Sequence, residues 1–357
     1  MEQLKRDFAG AHRLAHRAQA QEALTRAELS LALTESLVAR AELAARLRAR
    51  SLKAYQAQAK PQRLRRHNRL SRLVDKVLAR FGRLGAAMIA LRSGLLFVTP
   101  LFDAAAYRSA NPDVAAARVS PLAHYLVTGG REGRAPHPLL DESFYPAENA
   151  EALAATGLTS LEHYERAGAA LGLSPHPLFD VGHYLAQPVE LAPGEAPVSH
   201  YLRQGWRERA SPHPLFDVAW YARQAPEPLT LAPLLHYLTV GWREGRSPHP
   251  LFDPIWYLDQ DPGLAAAGVE PLNHFLTTGA REGRNPSPWF DLAHYVAARG
   301  DGMPADANPL IDYLQGGAWA VGEAYPGLAT PAYLAARPGL ARRGVTPLEH
   351  WARRRGR

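Results

Sequence analysis

PLFD, from Pro100 to Asp103, is a phrase to which this chain keeps returning. It recurs ending at Asp180, Asp217 and Asp253, as PLLD ending at Asp141 and as PWFD ending at Asp291. Four residues after each of these aspartates stands a tyrosine: Tyr107, Tyr145, Tyr184, Tyr221, Tyr257 and Tyr295. Further on comes a His-Tyr-like pair beginning at His124, His163, His200, His236 and His274, with Asp312 in the sixth copy. A seventh, truncated copy carries Tyr333 and His350. Self-similarity at 36–39 residues marks an array of small units, none able to bury its apolar face alone.

The spacing divides each unit into a fixed and a tolerant part. From the His-Tyr position to the next aspartate the distance is always 17 residues, whereas aspartate to histidine varies between 19 and 22. Length variation is accepted where chain runs over the surface, so a loop is expected in the second interval and a structural joint in the first. Within the first unit, Asp103 suits a helix N-cap, and Tyr107 on the following short helix points inward. Ser120-Pro121 is a cap followed by proline at the first helical position. The helix it opens carries Leu122, Tyr125 and Leu126 on one face and ends near Gly133, where a left-handed turn is cheapest for glycine. The expected fold is all-α: an α-solenoid of about seven helical-hairpin repeats over 100–357, preceded by a long helix. Gly129, Gly168, Gly205, Gly241, Gly279 and Gly317 recur inside the second helix despite a cost of up to about 1 kcal/mol each against alanine. They are expected at close helix-packing contacts.

Each repeated residue also has a chemical reading. The aspartates could be acids or ligands, but a capping role accounts for all six. The His-Tyr histidines and a second series between prolines (His137, His176, His213, His249) invite a metal. A metal site, however, needs three or four converging ligands, no short Cys/His spacing is present, and Ser287 replaces histidine at the fifth joint. Structural histidines are therefore expected, with no metal, no cofactor and no catalytic residue assigned. Arg131-Glu132-Gly133-Arg134 and its echoes at 243–246 and 281–284 read as solvated helix ends with local ion pairs. Trp206, Trp242 and Trp256 read either as core or as the lining of a concave binding face.

The segment before the repeats differs in kind. From Ala11 to Lys60 there is neither glycine nor proline, so residues 1–60 read as a long helix with a leucine stripe at Leu29, Leu33, Leu37, Leu43 and Leu47, a candidate coiled coil and homodimer contact. Residues 60–83 hold nine Lys/Arg against one acid, Asp75. With a further +4 in residues 1–59 and +7 overall, the repeats are net acidic. Leu70, Leu73, Val74, Val77, Leu78, Phe81 and Leu84 form one helical face, and Arg65, Arg69, Arg72, Lys76, Arg80 and Arg83 another. Residues 61–99 are thus expected to cap the array, to lie on an anionic membrane surface or to meet a partner. The acidic repeats argue against nucleic acid, whose backbone asks for basic surface along the whole track. There is no cysteine, so disulfides and thiol catalysis are excluded, and Met1 to Asp7 lacks the apolar run of a secretory signal. A cytoplasmic place at the inner membrane is the expectation.

The stretch FDPIWYLDQDPGLAAAGVEPLNHFLTTGAREGRNPSP, Phe252 to Pro288, resembles a tandem repeat of bacterial proteins. That repeat is often found beside glycosyltransferase domains of cell-surface polysaccharide synthesis, and in some large secreted haemolysin-like proteins. The resemblance runs from Pro100 to Arg357. It departs at Leu171-Gly172-Leu173, which replaces the EGR phrase, and at Asp312. It implies no activity of its own, and the glycine-rich turn of a nucleotide-sugar domain is missing. A non-enzymatic scaffold for protein partners, glycosyltransferases among them, is the first reading. A glycan-binding module is the second, and an enzyme with an unrecognised site the third.

Overall fold

The computed structural model describes residues 32, 34–59, 74–75, 77–78, 88, 99–117 and 119–355. Among these the secondary structure is helical, with isolated bridges such as His213 to Phe216 in place of strands. No helix among the described residues is long and apolar enough to cross a membrane. The chain divides into two compact units, one of Arg46–Pro286 and one of Ser287–Arg357 with the segment ending at Ala45.

The first six repeats begin with the expected cap, and the seventh begins at Ala329 without one. Asp103 accepts from the N–H groups of Ala105 and Ala106, Asp180 from His183, Asp217 from Trp220 and Asp253 from Ile255 and Trp256. The second helix is short and of two kinds: an α-turn such as Pro233–His236, then a π-helical turn such as Tyr237–Gly241. The first repeat instead continues as α-helix over Pro121–Val127 and closes with a 3-10 turn at Gly129–Arg131, and the seventh is α-helix throughout Pro347–Arg355.

The tolerant interval is not simply a loop. Where it is 21 or 22 residues long it holds an extra short helix, Pro112–Ala116, Ala150–Thr156 or Pro262–Ala266 in Arg46–Pro286 and a 3-10 turn, Gly300–Gly302, in the other unit. At 20 and 19 residues, in the third and fourth repeats, no helix separates Val181–Leu185 from Pro197–His200 or Val218–Ala222 from Pro233–His236. Asn111-Pro112 therefore ends one helix and starts the next, since proline at N1 forfeits no helical hydrogen bond.

Three aromatic rings form the centre of the first, third, fourth, fifth and sixth repeats, and in the second Leu140 takes the place of the phenylalanine beside Tyr145 and Tyr164. Phe179, Tyr184 and Tyr201 are wholly buried, with Tyr184 and Tyr201 edge to face at 6.0 Å. Phe216, Tyr221 and Tyr237 repeat the pattern, and Phe290, Tyr295 and Tyr313 repeat it in the other unit. Such pairs add about 0.5–1.5 kcal/mol each beyond area burial.

Neighbouring repeats are tied by backbone and side chain. The Asp217 N–H donates to the Pro248 carbonyl at 2.9 Å, and Asp141 and Asp180 bond in the same way to Pro175 and Pro212. The Tyr201 hydroxyl accepts from the Leu234 N–H at 3.0 Å, and the Tyr237 hydroxyl donates to Glu270 at 2.6 Å, each at the start of the next repeat's second helix. Contacts also reach past the neighbour: the Asn273 amide of the fifth repeat donates to Asp141 of the second at 3.4 Å.

Residues 34–58 form one helix. Leu43 and Leu47, placed on the leucine stripe by sequence, are exposed, while Leu37 is buried. Within Arg46–Pro286 the contact side is instead Leu52 against Gly172, Gln56 donating to the Leu171 carbonyl and Tyr55 to that of Glu195. In the other unit Ala41 lies against Gly316. Leu29 and Leu33 lie outside the described residues, and so do Arg65, Arg69, Arg72, Lys76, Arg80 and Arg83.

Candidate functional site

The tyrosine after each cap and the histidine of each His-Tyr pair meet. The Tyr hydroxyl lies 2.7 Å from His Nδ1 in Tyr145–His163, Tyr184–His200 and Tyr257–His274. The separation is 2.8 Å in Tyr221–His236 and Tyr333–His350, and 3.0 Å in Tyr107–His124. In the sixth repeat the Tyr295 hydroxyl donates to Asp312, which is clamped by Arg299 through Nε at 2.8 Å and a second nitrogen at 3.1 Å. Arg299 escaped the sequence reading; its only signal there is a cation that comes with the His-to-Asp change.

This pairing explains the recurring glycine. A Cβ at Gly205, Gly241 or Gly279 would overlap the hydroxyl of Tyr184, Tyr221 or Tyr257. The close contact predicted from sequence exists, but it is a phenol of the same repeat on the glycine, not one helix backbone on another.

A phenol–imidazole pair resembles acid–base machinery, yet its electrostatics run the other way. Burial pushes the phenols of Tyr145, Tyr221 and Tyr257 above the ordinary tyrosine range, and burial pulls the imidazoles of their partners His163, His236 and His274 below theirs. A proton-transfer pair works best with values drawn toward the working pH; here both groups are held neutral and the pair is a fixed hydrogen bond.

The second histidine series builds the joints. Nδ1 of His137, His176, His213 and His249 accepts from the backbone N–H two residues on, at 3.0–3.2 Å. The proton therefore sits on Nε2, and that of His176 lies 3.9 Å from Asp141. Ser287 substitutes without changing the logic, its Oγ accepting from the Trp289 N–H at 3.4 Å. Desolvation lowers His137 and His176 to about 4 and His213 to about 3. His176 and His213 line a cavity of about 470 Å³ together with Asp180, Ser174 and Arg281. No group of three or more His, Cys, Asp or Glu placed to hold a metal ion is found among the described residues.

The three tryptophans are not equivalent. Trp242 is buried, with the Arg243 guanidinium 4.3 Å over its ring. Trp256 is half-buried on the first helix of its repeat, where its N–H is capped by Asp253. Trp206 is also half-buried and lines an open cleft of about 310 Å³ with Arg207, Arg209 and Arg223. The two last arginines were not singled out from sequence, although the signal was there: ERA at 208–210 breaks the EGR phrase.

Compared with protein-family models, with curated proteins and with solved structures, the chain matches none.

Proposed function

We propose that the chain is a non-enzymatic repeat scaffold, an α-solenoid of about seven units that organises protein partners. The observation that carries this reading is the fate of the repeated polar residues. The cap aspartates, the Tyr–His pairs and the joint histidines each hold a hydrogen bond that builds the repeat. The resemblance of the repeat points to partners in bacterial cell-envelope polysaccharide synthesis, glycosyltransferases first. On its charge, the segment 60–83 is the part that would meet an anionic membrane surface.

The test is cross-linking of the full chain in living cells, followed by identification of the captured proteins. Enrichment of envelope glycosyltransferases over a chain with an unrelated repeat array supports the reading; capture indistinguishable from that control sinks it. A second reading, a glycan-binding module, has the half-exposed Trp206 ring in its favour. Co-sedimentation with neutral polysaccharide, lost in Trp206→Ala, would replace the first reading by the second.

A further inference from the structure

The turn after each second helix passes through a left-handed residue, and in four repeats that residue is glycine: Gly133 at φ 72°, Gly172 at 71°, Gly245 at 72° and Gly283 at 76°. The third repeat places Arg209 there, at φ 64°, the one non-glycine residue of positive φ among the described residues. A side chain with a Cβ is disfavoured in this region, so an arginine needs a compensating reason to stand in it.

The surroundings have changed with it. In the first, fourth and fifth repeats the arginine one place later is held by the glutamate two residues before it: Arg134 by Glu132 at 2.8 Å, Arg246 by Glu244 at 2.7 Å and Arg284 by Glu282 at 2.6 Å. In the third repeat Ala210 occupies that place, and Glu208 is engaged by the Gln204 amide. Arg209 is left without a carboxylate partner among the described residues.

Space has been made beside it as well. Two and five residues after Asp253 stand Ile255 and Leu258, and the Ile255 side chain lies against Gly245. The same places after Asp217 hold Ala219 and Ala222, and both line the cleft of about 310 Å³ that Arg209 borders. Arg207 and Arg223 border it too, and no carboxylate does. Arg207 is fixed by stacking on Trp206 at 4.3 Å and by donating to the Arg203 carbonyl at 2.7 Å. Three guanidiniums, an indole and an alanine-lined floor occur together at this junction of the third and fourth repeats.

We propose that this cleft binds an oxyanion, a phosphate or a carboxylate carried on a small ring. Guanidinium forks match both oxyanions bidentately, and the volume is at the lower end for small-molecule sites. The ring lies on the apolar floor while its charged group meets Arg209 and Arg223. The inference is independent of the scaffold reading and stands or falls by direct binding.

Calorimetric titration of the full chain at low salt tests it with phenyl phosphate, phenylacetate, inorganic phosphate and phenol. Phenyl phosphate or phenylacetate should bind about tenfold or more tightly than inorganic phosphate and phenol, since only they combine charge and ring; whichever of the two is tighter identifies the oxyanion. Arg209→Gly restores the residue of the other repeats, so it should melt no earlier than the parent while binding falls about tenfold or more. Arg223→Gln should weaken binding similarly, and Arg243→Gln, which removes an arginine outside the cleft, should leave it unchanged. Failure of both charged ring probes to bind overturns the proposal. So does undiminished binding in Arg209→Gly, or an equal loss in Arg243→Gln, which would reduce the attraction to net charge.

Discussion

Gly241 and Tyr221 are twenty residues apart and constrain each other through one atom, because the tyrosine hydroxyl occupies the room a Cβ would need. Gly241→Ala should therefore destabilise by about 1–3 kcal/mol, the cost of overpacking, although alanine is the better helix former. Tyr221→Phe alone should cost about 1 kcal/mol through the lost bond to His236. The double variant should recover much of the alanine penalty. Urea unfolding of the four proteins checks the cycle, and simple additivity would show that the two sites do not touch. The sequence disclosed that this glycine mattered, and its period placed it on the second helix. It could not disclose the cause, since the partner lies across the variable interval and proximity through that interval has no local signature.

At the scale of the element, capping was legible and the inner form of the second helix was not. Aspartate, serine and proline announce where helices begin, whereas nothing in the sequence distinguishes the π-helical turn of Tyr237–Gly241 from the α-helix and 3-10 turn that bring His124 and Gly129 to Tyr107 in the first repeat. The third short helix was also hidden. The extra turn is present at 21 residues and missing at 20, so its presence turns on a single residue of length. The joints between elements yield a test: the Tyr201 hydroxyl is the acceptor for the buried Leu234 N–H at the start of the next second helix. Tyr201→Phe keeps the ring and removes that acceptor, so stability should fall by about 1–3 kcal/mol, the penalty of an unpaired buried donor. Hydrogen exchange at Leu234 should accelerate; exchange unchanged from the parent would mean that the tie is not made in solution.

At the scale of the molecule, the buried joint histidines make folding sensitive to acid. Their folded values, about 4 for His137 and His176 and about 3 for His213, lie below the ordinary 6.5. The unfolded chain thus takes up protons first as pH falls, so their contribution is complete above about pH 6.5 and is lost between there and about pH 4 for His137 and His176, or about pH 3 for His213. Each contributes on the order of 1–3 kcal/mol. Urea midpoints should be level above pH 7 and fall steeply below 6, and His213→Ser, which copies the Ser287 joint, should reduce that slope. A midpoint independent of pH from 7 to 4.5 would contradict the burial of these rings.

The basic segment belongs to the same scale. Vesicles containing anionic lipid should bind the full chain at low salt and release it as salt rises, with about 1 kcal/mol lost per basic residue neutralised. Replacing Arg65, Arg69, Arg72 and Arg80 by glutamine should abolish binding without shifting the thermal unfolding of the repeats. Equal binding to neutral vesicles would remove the charge argument.

The bond from Asn273 to Asp141 joins repeats three places apart, and this restricts how such a chain can change its length. An array in which every unit meets only its neighbours tolerates duplication or deletion of any copy, because each junction is the same. Here an internal duplication between the second and fifth copies would bring a different residue opposite Asp141. Gain or loss of a copy within that interval therefore forfeits this bond, whereas a copy gained or lost outside it leaves the bond in place.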